Sequence, residues 1–139
     1  MLDETRRDLA LYRIDKSARV LEDAKMTLEA NRFDTAANRA YYAIFHAMRA
    51  VFALDSKDYS KHSAVISFFS KDYIKTGRLD SGLGRTIKMA SALRNASDYE
   101  DYVETTKEET NEAIQKATEF HNAVKEYVER RIAEEQSNI

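Results

Sequence analysis

Residues 34–54 read DTAANRAYYAIFHAMRAVFAL, and the spacing within them decides the fold. Tyr41, Phe45, Met48 and Phe52 follow one another by four, three and four, and Ile44 and Val51 widen the line. That is the apolar face of an α-helix. Beside it runs a second line, Arg39, Tyr42, His46 and Arg49, at spacings of three, four and three. At 100° per residue these four fall within an arc of roughly 80°. One helix therefore carries an apolar face and an adjoining basic-aromatic edge.

The same periodicity extends in both directions. Upstream, about Thr5 to Asn31 reads as a helix with Leu11, Ile14, Ala18, Leu21 and Leu28 inward, and Asn31 and Asp34 as stop and restart signals. Downstream, Asp55–Tyr59 is a short polar connection. Ser60 is placed to cap a third helix reaching about Thr76, with Val65, Ile66, Phe69 and Tyr73 inward and Gly77 in the left-handed position after its end. The RLDSGLG stretch, residues 78–84, lacks the length and the Lys-Ser/Thr of a phosphate loop and reads as a turn. A fourth helix, about Leu83 to Ala96, carries Leu83, Ile87, Ala90 and Leu93. Its register brings Arg94 into the apolar stripe, with Asp98 one turn further on. Thr105-x-x-Glu108 and Thr106-x-x-Glu109 are alternative capping boxes for a last helix to roughly Glu135, with Ala113, Ile114, Ala117, Phe120, Val124 and Val128 inward. No alternating β-branched run suggests a strand. The expected fold is all-α: an up-and-down antiparallel bundle of about five helices, one domain over residues 1–139, with a tail that frays from about residue 134.

Composition agrees with this reading. The 139 residues contain no proline and three glycines, with 33% charged residues, a balance that favours helices. A formal net charge of −2 gives no general attraction for a polyanion, so any nucleic-acid contact needs a local basic patch. The absence of cysteine excludes a disulfide framework and a Cys-type zinc site. No window approaches the ~20 apolar residues of a membrane span, and the N-terminal residues hold no signal-peptide core, so no membrane role and a cytoplasmic location are expected.

Few residues are arranged for chemistry. His46, His62 and His121 fall on three different helices at no metal-ligand spacing, so no metal or cofactor is expected. His121, among Ala117, Val124 and Val128, reads as a hydrogen-bonded core histidine. His62 reads equally as helix-start packing or as a site residue. No nucleophile elbow, Walker loop or dinucleotide fingerprint is present. Arg94 stands out, because a guanidinium aimed at a core must be paired, solvated or facing a partner. Asp98, at i+4, can reach it. The pair can close the helix end, or Asp98 can hold Arg94 for a phosphate, which suits arginine's fork. The polar run through Tyr99 and Tyr102 exceeds what a salt bridge requires.

AANRAYYAIFHAMRAVF, then KHSAVISFFSKDYIKTG, then ALRNASDYEDYVETT, in this order, resemble the HEPN superfamily (higher eukaryotes and prokaryotes nucleotide-binding), in its small free-standing prokaryotic branch, from about Ala18 to Val128. The resemblance implies a helical bundle that dimerises, associates with RNA and often stands as a toxin beside a small nucleotidyltransferase antitoxin. Active members cleave RNA without metal through Arg-x(4–6)-His at a dimer cleft. Arg94 matches that arginine, and Asn95 the polar residue that follows it. The histidine does not match, since its positions hold Tyr99, Glu100 and Asp101. This departure argues against nuclease chemistry unless the fold brings His46 or His62 to Arg94. The family tyrosine that a partner modifies with AMP falls at Asp101, one residue before Tyr102.

The expectation is therefore a HEPN-type homodimer that binds nucleotide or RNA as one partner of a toxin–antitoxin-like pair with a small nucleotidyltransferase. Its working surface is Arg94, Asn95, Asp98, Tyr99 and Tyr102, with Arg39, Tyr42, His46 and Arg49 as a second wall. The alternatives are a metal-independent ribonuclease with a degenerate site, in which Arg94 is catalytic, and a structural or adaptor bundle.

Overall fold

In the computed structural model, which describes residues 3–137, five α-helices follow one another: α1 (Glu4–Glu29), α2 (Phe33–Leu54), α3 (His62–Phe69), α4 (Gly82–Tyr99) and α5 (Lys107–Ser137). There is no strand among the described residues. The all-α bundle expected from periodicity is the observed fold. No helix of the described residues is long and apolar enough to cross a membrane.

The centre is α2, which packs against α1, α3, α4 and α5. Tyr41, Ile44, Phe45, Met48, Val51 and Phe52 are all buried, as their spacing predicts. So are Ala36, Ala37, Ala40, Ala43, Ala47, Ala50 and Ala53, on faces the large residues leave free. Small side chains let neighbouring helices approach closely on those faces, and a helix apolar nearly all round has to be interior. Three bonds fix α1 antiparallel to it: Arg6 Nη1 to the Leu54 carbonyl, Arg13 Nη1 to the Arg49 carbonyl, and Ser17 Oγ to the Ala43 carbonyl, at 2.9, 3.0 and 2.7 Å.

That register corrects the stripe assigned to α1. Leu11 is 42% exposed and Ala18 only half-buried, whereas Ala10, Ile14, Ser17, Leu21 and Ala24 face the core. Small Ala10 and bonded Ser17 are what the close α1–α2 contact accepts. Asn31 does end α1, in the left-handed region at φ 61°, but α2 begins at Phe33 with Arg32 at its N-cap, leaving Asp34 in the first turn. Ser60 does not cap α3, since Lys61 holds that position without a side-chain bond. α3 continues into a π turn, Ser70–Ile74, and Gly77 is left-handed at φ 79°. α4 runs three residues past Ala96, so Asp98 is helical. Of the two capping boxes Thr106–Glu109 forms: Glu109 N–H donates to Thr106 Oγ1 and Thr106 N–H to Glu109 Oε1. The six inward positions named for α5 are buried. The helix continues to Ser137, beyond the predicted onset of fraying, and the last two residues of that tail lie outside the described residues.

One polar network ties three elements together below the core. Asp55, at the C-cap of α2, accepts from Arg131 Nη1 and Nη2 of α5 at 3.1 and 2.8 Å and from the Tyr73 hydroxyl of the π turn. Burial alone would raise the Asp55 carboxyl, but the hydrogen bonds from Arg131 and Tyr73 outweigh it and hold it below its ordinary value. The arginine and aspartate side chains are 16% and 22% exposed. Arg131→Ala should therefore destabilise the fold by about 2–3 kcal/mol, below the cost of breaking a fully buried pair. Urea unfolding of the variant beside the wild type measures this, and a loss under about 0.5 kcal/mol would mean that the network is ornamental.

Candidate functional site

Arg94 projects from the last turns of α4 onto the aromatic edge of α2. Its guanidinium carbon lies 5.1 Å from the Tyr41 ring centroid, 5.6 Å from Tyr42 and 5.4 Å from Tyr99. Arginine stacks on such ring faces favourably because the π cloud is negative. Nε donates to Asp98 Oδ2 at 3.2 Å, and Nη2 reaches the Tyr99 and Tyr42 hydroxyls at 3.2 and 3.4 Å. Nη1 approaches Asn95 Oδ1 at 3.5 Å. Asp98 Oδ2 also accepts from Asn38 Nδ2 of α2 at 2.9 Å, so the carboxylate joins the two helices. The arginine and aspartate side chains are 14% and 24% exposed. The arginine predicted to face the core thus sits at its rim.

His62 belongs to the same cluster. Its Nδ1 and the Tyr41 hydroxyl share a hydrogen bond of 3.2 Å, and its ring packs 4.3 Å from that of Phe45. Burial, then the charge of Arg94, lowers its pKa, so the imidazole is neutral at pH 7. His62 also opens on a cleft of about 560 Å³ lined by Phe45, Arg49, Asp58, Tyr59 and Ser60.

The structure joins some of the residues nominated from sequence and separates others. Arg94, Asn95, Asp98 and Tyr99 of α4 meet Tyr42 of α2, and Arg39 stacks on the same Tyr42 ring at 5.2 Å while bonding Asn38 Oδ1. Tyr102 does not join them. It is fully exposed in a left-handed conformation, φ 62°, three residues beyond the end of α4. His46 and Arg49 lie further along α2. His46 lies tilted against Tyr42 and edge-on to Phe45, and Arg49 pairs with Asp58 at 3.3 Å. His46 is held neutral down to about pH 4, by burial first and then by the charges of Lys16, Arg49, Arg39 and Arg13. His121 is the core histidine that its neighbours suggest, with Nδ1 bonded to Ser17 Oγ at 2.9 Å. Sequence reasoning missed Asn38 and Tyr41 as site residues. Asn38 stands four positions before Tyr42 on the basic-aromatic edge, a signal that was available. Tyr41 was hidden by its place in the apolar stripe. Among the described residues, no three His, Asp or Glu side chains are grouped to hold a metal ion.

Known proteins of one family are similar to this chain over most of its length. The model of the HEPN domain matches residues 10–127. A UPF0332 protein of Thermotoga maritima is 34% identical over 78% of this chain and 83% of its own length. Two proteins of Methanocaldococcus jannaschii, each named "Putative toxin", are 32% identical, one over 83% of this chain and 78% of its own length, the other over 76% and 78%.

Two outcomes follow for stability. All three histidines have folded pKa values below the unfolded value of about 6.5, so between those values the unfolded chain binds more protons. Their contribution is complete above about pH 6.5 and is lost as pH falls through the folded values, which for His46 is about 4. His46→Gln should flatten this slope, as read from thermal melts at each pH, and a slope identical to wild type would contradict the burial of a neutral His46. At the rim, Arg94→Ala should cost about 1–2 kcal/mol, between the values for exposed and buried pairs, because Asn38 still binds Asp98. A cycle of Arg94→Ala and Asp98→Ala, singly and together, measures the coupling. A loss of about 4 kcal/mol in each single variant, recovered in the double, would make the pair purely structural.

Proposed function

This chain belongs to the HEPN family, and on that premise we propose that it is the toxin-type member of a toxin–antitoxin-like pair, binding phosphate of nucleotide or RNA through the Arg94 cluster. The observation that carries the reading is the guanidinium of Arg94, fixed by Asp98 on its Nε side and stacked among three tyrosine rings, with its Nη groups bonded to neutral oxygens. Arginine's fork binds phosphate oxygens in pairs, and stacked tyrosines suit the bases beside them. The names of the Methanocaldococcus relatives support the toxin-type role. By family resemblance the partner is a small nucleotidyltransferase, the protein is a homodimer with Arg94 turned towards the second subunit, and the pair works in the cytoplasm.

A second reading, metal-independent RNA cleavage, draws on one observation. No histidine follows Arg94 at the family spacing, but His62 comes to Arg94 through Tyr41, neutral and able to accept a proton. His46 is the weaker substitute, because four cations surround it.

The reading is tested in one series of measurements. Sedimentation should give a dimer, with an interface on the order of 1,200–2,000 Å² in total. Wild-type protein should bind a labelled oligoribonucleotide, and Arg94→Ala should lose most of that binding while melting within about 2 kcal/mol of wild type. Total RNA in EDTA should stay intact. Cleavage abolished both by Arg94→Ala and by His62→Ala would establish the second reading instead, and binding unchanged in Arg94→Ala would refute both.

A further inference from the structure

The register of α1 against α2 has an electrostatic consequence. With Arg13 bonded to the Arg49 carbonyl and Ser17 to that of Ala43, the cations of the two helices lie along one seam. Arg13, Lys16, Arg39 and Arg49 all act on His46, between them. Arg13 is itself disfavoured as a cation, first by burial and then by Arg49, and Asp58 offsets this only in part. Of the four, only Arg49 has a carboxylate within ion-pair distance among the described residues, Asp58. Asp15, next to Lys16, is engaged by Arg19 at 3.0 Å. Arg49 Nε is a buried donor without a hydrogen-bond partner. In a chain whose net charge is −2, four cations crowded on one seam do not follow from composition. Packing accounts for Arg13, whose bond to the Arg49 carbonyl ties α1 to α2, but not for all four. Lys16 is exposed and makes no ion pair among the described residues, and Arg39 needs only Asn38 and Tyr42. Such a concentration is unfavourable in the free protein and relaxes when an anion enters it.

We propose that the α1–α2 seam of Arg13, Lys16, Arg39 and Arg49 around His46 binds phosphate groups, either of an RNA strand that continues from Arg94 or of a free polyphosphate. The first source rests on the Arg94 reading, the second does not. Tyr42 makes the seam continuous with the Arg94 cluster, because Arg39 and Arg94 lie over that one ring, at 5.2 and 5.6 Å. Phosphates spaced along a strand would meet Arg94 first, then Arg39, then the cations about His46. The cleft beside Arg49 has aromatic walls, Phe45 and Tyr59, against which an unpaired base can stack.

The test uses the full chain and two probes. The first is a labelled single-stranded oligoribonucleotide of about ten nucleotides, titrated by fluorescence anisotropy over a salt series. Lys16→Glu and Arg49→Gln should each weaken binding about fivefold or more, and each lost contact should flatten the log–log salt slope by about 0.7. Lys75→Glu, an exposed charge reversal beyond the π turn and on neither helix of the seam, should leave affinity nearly unchanged. The second probe is tripolyphosphate, followed by NMR of the His46 ring. Anion binding should move its signals and raise its pKa from about 4 towards the ordinary value. RNA binding that depends on Arg94 but not on Lys16 or Arg49, with a silent His46, overturns the seam and leaves the Arg94 reading standing. Tripolyphosphate moving His46 without any RNA binding supports the seam as a site for free phosphates and removes the RNA reading. A response to neither probe overturns both.

Discussion

The burial of α2 is the constraint on which the rest depends. A helix with large apolar residues on one face and alanines over most of the others can be satisfied only when it is surrounded. The other helices therefore arrange themselves by how they reach it: α1 through the Ser17 and Arg13 bonds, α4 through Asn38 and Tyr42, and α5 through a long buried stripe ending at the Asp55 network. Beyond its first turn, α2 keeps one line that is not fully covered: Asn38, Arg39, Tyr42, His46 and Arg49 are all half-buried. Because the packing leaves α2 no other outlet, its polar chemistry is concentrated on that line.

That concentration explains why the cations are held as they are. An arginine half out of water needs either a carboxylate or a surface that tolerates its charge without neutralising it. Asp98 supplies the first for Arg94, and the tyrosine rings supply the second for Arg94 and Arg39 together. Ring faces are the weaker partners, and for that reason they leave the field of the guanidinium available to an incoming anion. His46 lies in this field: burial first, and then the four neighbouring cations, keep it neutral down to about pH 4.

The periodicity was enough to read the helices, because the 3.6-residue repeat reports burial directly. It was read well where large side chains carry the packing, as in α5 with Phe120, Val124 and Val128. It was misread in α1, where Ala10 and Ser17 carry it and the larger Leu11 points to solvent. Hydrophobic size is a poor guide where two helices touch closely. Arg94, Asp98 and Tyr99 were legible as a cluster because they share one helix. Asn38 shares the edge of Arg39 and Tyr42 and was legible to that extent, but that it, Tyr41 and His62 meet the Arg94 cluster was not, since no spacing within one element records which residue of another will face it. Tyr102 was a false extension of the cluster, because α4 ends at Tyr99, Glu100 is extended, and Tyr102 stands left-handed and fully exposed beyond it.

The same contacts bear on why Arg94 is aimed inward at all. Closing the end of α4 would need only Asp98 at i+4. Instead Asp98 Oδ2 accepts from both Arg94 Nε and Asn38 Nδ2, which uses the carboxylate to orient the guanidinium relative to α2 rather than merely to neutralise it. The bonds on the opposite edge of the fork, to Asn95, Tyr42 and Tyr99, run from 3.2 to 3.5 Å, at the long limit for such contacts. A phosphate oxygen would make shorter, charge-assisted bonds to those same Nη groups and could displace the tyrosine hydroxyls without disturbing the Nε anchor. Anchored to a carboxylate through Nε and to neutral oxygens through its Nη groups, the guanidinium is oriented by its direction towards the core, which sets it against the tyrosine rings of α2.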